Sequence, residues 1–155
     1  MGMSATTDSG FNLDQLKQIA SQPERIIDEL VAVLMSLTSD DEETRAWAVD
    51  CIQSIESLPQ SKAEAVAGLS EHHCDAVVNW TCRMLGKAEN VDAFQKQLTQ
   101  VLLNHSCITA RQTAAMALGC VQKASAETKR GLEVAAQNSD PRLQRLAKQS
   151  LEKIG

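Results

Sequence analysis

Tyrosine is absent from this 155-residue chain, and aromatic residues together make up 3% of it. Sheet cores lean on aromatic and β-branched side chains, so a core with so few rings, built from Ala, Leu, Ile and Val, points to closely packed helices. Only three prolines occur, and each precedes or opens a helical pattern, where the missing N–H costs little. No apolar run approaches the ~18 residues of a membrane span, and the first residues lack the basic and apolar regions of a secretory signal. The start, "MGMSAT", fits the loose myristoylation pattern but has no basic cluster or second lipid signal beside it. The five cysteines are an odd set without framework spacing. With no signal segment, that usage fits reduced thiols in a cytoplasm, and the sequons "NWT" at Asn79 and "NHS" at Asn104 then carry no weight.

Positive charge is also in short supply. The net charge is −5; residues 1–60 carry 11 acidic and 3 basic side chains, and residues 61–155 carry 9 and 12. An acidic chain repels nucleic acid and anionic membrane unless it gathers its cations on one face. Catalytic signatures are missing too: there is no GxGxxG, P-loop, GxSxG or HExxH, and no nucleophile, base and orienting group fall into a recognisable pattern.

What the chain does contain is a repeat. "ETRAWAVDCIQSI" (43–55), "AVVNWTCRMLGKA" (76–88), "ITARQTAAMALGCV" (108–121) and "NSDPRLQRLAKQSLEKIG" (138–155) align at three equal steps of 33 residues. One helical stripe runs through the columns 44/77/110/143, 47/80/113/146, 48/81/114/147, 51/84/117/150, 52/85/118/151 and 55/88/121/154. Twenty of its 24 positions are apolar, the exceptions being Thr44, Thr81, Thr113 and Ser150; composition alone gives about ten. The flanking columns 46/79/112/145, 50/83/116/149 and 53/86/119/152 hold two apolar residues in 12, Ala46 and Met116. Trp47 and Trp80 share a column.

Partner helices are expected over 23–37, 61–71, 91–104 and 126–137, with starts marked by capping-box spacing at Ser21 and Ser61 and by the caps Asn90 and Ser125. Asp140 is placed to cap the fourth second helix, with Pro141 at its first position. "FNLDQLKQIA" adds a short leading helix with Leu13, Leu16 and Ile19 on one side, after a loose polar segment 1–10. A helix pair of about 33 residues cannot bury its stripe alone, and stacking such pairs makes one continuous core. The polar outward positions Arg145, Lys148, Gln149 and Glu152 read as a capping copy. The expected organisation is one domain over 11–155, with repeats at about 22–57, 58–89, 90–122 and 123–155.

The period is shared by several repeat classes, but the ankyrin TPLH signature and the Tyr and Gly of the tetratricopeptide repeat are missing. The second helices instead resemble the short HEAT repeats of the phycobilin-lyase-like group, whose pattern runs roughly Asp-Pro-x-Val-Arg-x-x-Ala-x-x-Ala-Leu. "DPRLQRLAKQSL" (140–151) follows it with Gln144 at the Arg position; "ARQTAAMAL" (110–118) supplies Arg111, and "DEETRAWAVDCI" (41–52) supplies Arg45. The second copy departs most, with Val78 for Arg and Thr81 for Ala. Covering about residues 22–155, the resemblance implies an all-α fold, a right-handed α-α superhelix or solenoid of about four helix pairs, whose surface recognises a partner, usually a protein.

The sharpest cluster for chemistry is "HHC" (72–74) with "HSC" (105–107). His72, Cys74, His105 and Cys107 look like a zinc set, yet stacked helices lie ~8–10 Å apart, whereas four ligands at ~2.0–2.3 Å from one zinc must lie within about 4 Å of each other. Inherited loop residues at helix starts are the plainer reading, and iron is not transferred from HEAT-like hydroxylases because "SEHH" reverses their His-Glu order. Cys74 and Cys107 sit where Asp41 and Asp140 cap their helices, near N–H groups that favour a thiolate. Trp47 and Trp80 read as core, with partner contact through an exposed edge as the alternative. Column 49/82/115 favours contact between repeats over an open groove. Arg45 and Arg111 read as structural links to acceptors in the turn or next repeat.

The leading expectation is a non-enzymatic protein-binding adaptor or scaffold that needs no cofactor, presenting Arg45, Val78, Arg83, Arg111, Met116 and Arg145 on the inner face formed by the second helices. Its partner is a protein or peptide. It is cytoplasmic, with no membrane contact, and monomeric or weakly self-associating, the acidic first half and the basic side chains Lys129, Arg130, Arg142, Arg145 and Lys148 suiting head-to-tail docking. A second reading, by family analogy, is an accessory factor or lyase acting on a tetrapyrrole–protein pair. Nucleic-acid binding, as in HEAT-like glycosylases, is disfavoured by the acidic balance.

Overall fold

In a computed structural model, which describes residues 10–155, the helical periodicity of the sequence becomes ten α-helices and three short 3-10 segments, with no strand among the described residues. The expected loose segment 1–10, Gly10 aside, and the myristoylation pattern lie outside the described residues. The helices are α1 (Leu13–Ile19), α2 (Pro23–Asp28), α3 (Leu30–Met35), α4 (Glu42–Gln53), α5 (Gln60–Ala67), α6 (Asp75–Leu85), α7 (Gln95–Asn104), α8 (Ile108–Leu118), α9 (Ala126–Ala135) and α10 (Pro141–Ile154). The 3-10 segments are Ser36–Thr38, Gly68–Glu71 and Val91–Phe94.

Local chemistry explains most helix starts. Asn12 and Gln15 close a capping box on α1, and the side chains of Asp41, Ser125 and Asp140 each accept from the third backbone amide of α4, α9 and α10. Asn90 caps the 3-10 turn that leads into α7. Ser21 and Ser61 do not cap. Gln22 and Pro59 hold those positions without a side-chain bond, because proline with its preset φ decides where each helix begins. The helix expected over 23–37 breaks at Glu29 and ends in a 3-10 turn, yet Ile26 and Leu30 on either side of the break are both buried, so the apolar stripe runs through it.

In the later copies helices of like position lie side by side: α6 packs on α8, α8 on α10, and α7 on α9. Within pairs, α7 packs on α8 and α9 on α10. At the other end α4 meets α1 and α3, and α3 also touches α5 and α6. None of the 24 stripe positions is exposed. Cys82 and Ala115 are fully buried, Val49 half-buried and Lys148 exposed, so that column is closed over in the two inner copies and open in the last. Gly86 and Gly119 stand where successive second helices come close: a Cβ on Gly86 would lie 3.1 Å from Ala117 Cβ, and one on Gly119 only 2.6 Å from Ser150 Oγ.

The four polar residues of the stripe are buried with it. Thr44 donates to Asp41 of its own cap, Thr113 donates to Asn79 of the preceding repeat, and Ser150 donates to the Ala115 carbonyl of the preceding repeat. Only Thr81 leaves its buried hydroxyl without a partner among the described residues. The loops stack as well. Leu58 and Ala88 form an isolated parallel bridge, and side-chain amides clamp the next loop: Gln60 Oε1 accepts from Asn90 N at 2.8 Å and Gln95 Oε1 from Ser125 N at 2.8 Å.

Candidate partner-binding faces

Each second helix is entered through the same turn. The backbone amide of the N-cap donates to the side chain two residues earlier: Asp41 N to Ser39 Oγ (3.1 Å), Cys74 N to His72 Nδ1 (3.0 Å), Cys107 N to His105 Nδ1 (3.0 Å) and Asp140 N to Asn138 Oδ1 (2.8 Å). Positions 39, 72, 105 and 138 keep the 33-residue step. The four metal candidates are therefore parts of two separate turns, each histidine having committed one nitrogen lone pair to its own backbone. Among the described residues, no three His, Cys, Asp or Glu side chains gather as a metal set. Cys74 and Cys107 are N-caps, as their alignment with Asp41 and Asp140 implies, but make no side-chain cap bond.

The recurrent arginines also serve the turns. Arg45 Nη1 donates to the Ser39 carbonyl at 2.7 Å, and Arg111 Nε to the Leu102 carbonyl at 2.8 Å; a charged donor on a carbonyl that helix geometry leaves unpaired is a strong local tie. Each thus spends one nitrogen on the fold and keeps the others. Val78, their counterpart in the second copy, is 0% exposed and is withdrawn from the binding set: an apolar side chain without a carbonyl to reach packs inward.

Of the six expected contact residues only Val78 is buried; Arg83 and Arg145 are exposed, and Arg45, Arg111 and Met116 are half-buried. Arg83 is exposed on α6, its guanidinium carbon 5.2 Å from the Trp80 ring centroid. Lys17 Nζ lies 5.8 Å from the ring of Trp47 in the same way. Both indoles are half-buried against the core, so each packs inward while a cation covers its outer face. Arg83 and half-buried Met116 line one shallow cleft of about 150 Å³ with Lys87, Thr113 and Cys120. Arg145 is exposed on α10, outside that cleft. Of the free thiols, burial pushes Cys82 up to about 12, and burial followed by the Asp50 charge raises Cys51, so these two are poor nucleophiles at neutral pH.

The chain matches no protein-family model and no curated protein. Its surface carries the functional argument.

The larger surface feature lies on the first helices, which the sequence reading left out. A groove of about 610 Å³ runs between α7 and α9. Gly131 lets the helices close at its floor, since a Cβ there would sit 3.1 Å from Thr99 Cγ2. Leu103 and Val134 line it at 39% and 57% exposure. Lys96 and Arg130 flank them, neither ion-paired among the described residues. The sequence did contain the signal. Val101, Leu102 and Leu103 are three consecutive apolar residues, and at 100° per residue they span more than one helix face, so one must point outward.

Proposed function

We propose that this protein is a small right-handed α-solenoid of about four HEAT-like helix pairs that binds another protein as a non-catalytic adaptor or scaffold. We place it in the cytoplasm, as a monomer or in weak self-association. The solenoid reading is supported by the 33-residue step, which recurs in the buried stripe and in the four entry turns. The observation that carries the binding role is the α7–α9 groove, where two exposed apolar side chains stand beside two cations that make no ion pair among the described residues. Such a surface suits a helical or extended segment with an apolar anchor and a nearby carboxylate. A second reading places the partner on the second helices, favoured by Arg83 and Met116 sharing one cleft.

The test begins with affinity capture and identification of a partner by mass spectrometry, followed by titration of the purified pair. Leu103→Asp with Val134→Asp is expected to weaken binding at least about tenfold, the loss of two anchors worth over 1.4 kcal/mol together, while the helical circular dichroism is kept. If Arg83→Glu weakens it instead, the site moves to the second helices. Full binding by both variants ends the groove and the cleft alike.

A further inference from the structure

Among the four entry turns, only the inner two are closed by imidazole nitrogens. Ser39 and Asn138 accept the N-cap amide through oxygens that do not change charge, whereas His72 and His105 accept it through an imidazole nitrogen. An imidazole that accepts at Nδ1 must carry its proton on Nε2, and a second proton can only go onto the accepting nitrogen. Protonation therefore turns the acceptor into a donor that faces another donor.

We propose that the two inner turns are proton-sensitive joints: the unprotonated Nδ1 atoms of His72 and His105 hold the amides of Cys74 and Cys107, and protonation of either ring releases the start of α6 or α8. This inference does not rest on the protein-binding reading. It follows from the turn geometry and from the chemical difference between inner and outer copies.

The surroundings make the two joints unequal. The ring of His73 stacks on His72 with centroids 4.3 Å apart, so a second positive charge there is opposed. Burial, then the neighbouring His73, hold the His72 imidazole below its ordinary value of 6.5. At the other joint, Asp75 Oδ1 lies 3.9 Å from His105 Nε2, and Glu71 and Lys96 line the same surface cleft as His105. A protonated His105 gains an attraction to Asp75 that offsets part of the lost bond. The joint at His72 is thus the one whose opening proton binding favours most. The sign is definite: its contribution to stability is fully present above about 6.5 and is lost as pH falls from there through the lowered folded value.

Amide hydrogen exchange on the intact protein, corrected for the intrinsic pH dependence, tests this between pH 7.5 and 5. Exchange at Cys74 N is expected to speed up by about tenfold for each unit by which proton affinity differs between the open and closed turn. The amides of Asp41 and Asp140 are expected not to respond. Nitrogen-15 shifts of the imidazoles should report the Nε2–H tautomer for His72 and His105 at pH 7.5. The double variant His72→Asn with His105→Asn borrows the residue that closes the fourth copy, so it keeps the turn and is expected to remove the acid response. His73→Asn is expected to retain it. An unchanged acid response in the double variant, its loss in His73→Asn, or the Nδ1–H tautomer at pH 7.5 would each overturn the proposal.

Discussion

Thr81 and Thr113 lie one repeat and one column apart on the same buried stripe, and both are helical threonines with little or no exposure. Their hydroxyls differ in one respect: Thr113 donates to Asn79, while Thr81 has no partner among the described residues. A buried hydroxyl without a bond forfeits its hydration, a cost of about 1–3 kcal/mol by mutational data. Thr81→Val is therefore expected to raise the unfolding free energy by about 1 kcal/mol, read as a higher urea midpoint at unchanged slope. Thr113→Val is expected to lower it by a similar amount, because it leaves the Asn79 carbonyl oxygen bare. Equal signs for the two would refute this account. The stripe that buries both residues was legible from apolar spacing alone. The difference between them was not, since it depends on which atoms of the neighbouring repeat come within reach.

At the scale of the element, α1 shows how an edge is secured. Gly10 adopts φ +75°, and a Cβ there would lie 2.4 Å from Ser36 N and 2.7 Å from the Met35 carbonyl carbon. That close approach brings Phe11 N to Ser36 Oγ at 2.8 Å and lays Leu16 and Ile19 against α4, where Cys51 Sγ meets the Leu16 carbonyl at 3.8 Å. Gly10→Ala combines a left-handed backbone penalty with a clash against main chain. It is expected to cost about 2 kcal/mol or more and to lift α1 from its seat. The check is alkylation of Cys51 under native conditions, slow in the parent and fast in the variant; an unchanged rate would mean α1 stays docked. Starts at Asp41, Ser125 and Asp140 were readable because a cap is a contact within one turn of chain. Those at Ser21 and Ser61 were misread because a proline two residues away sets the start of the helix instead.

For the whole molecule, acid should act in two windows. Besides the histidine joints, the caps of the first and fourth second helices titrate lower. Asp41 is held below 3.8 chiefly by the Thr44 hydroxyl and then the Thr44 amide. Asp140 is held below 3.8 chiefly by the Leu143 amide and then by Gln112 of the preceding repeat. Carboxylates lowered in the folded state contribute stability that is present above their unfolded value and lost as pH falls through the folded one. Chemical denaturation is therefore expected to show a further drop below pH 4, reduced in Asp41→Asn with Asp140→Asn; a drop of the same size in that variant would assign the acid response elsewhere. The α7–α9 groove also belongs to this scale. Sequence placed the candidate site on the second helices, where the columns are regular, and of its six residues only Val78 is buried. The groove escaped because it lies between elements one repeat apart.

Residue spacing alone determined the helices, the 33-residue step, the buried stripe and most caps, since these follow from a 3.6-residue period and from bonds that span a few positions. Only the tertiary structure decided that Val78 is hidden, that His72 and His105 close turns, that Thr81 has no hydrogen-bond partner among the described residues and that Leu103 and Val134 share a groove. Each of those depends on the distance between atoms of different turns or repeats, and that distance is fixed only once the helices have packed.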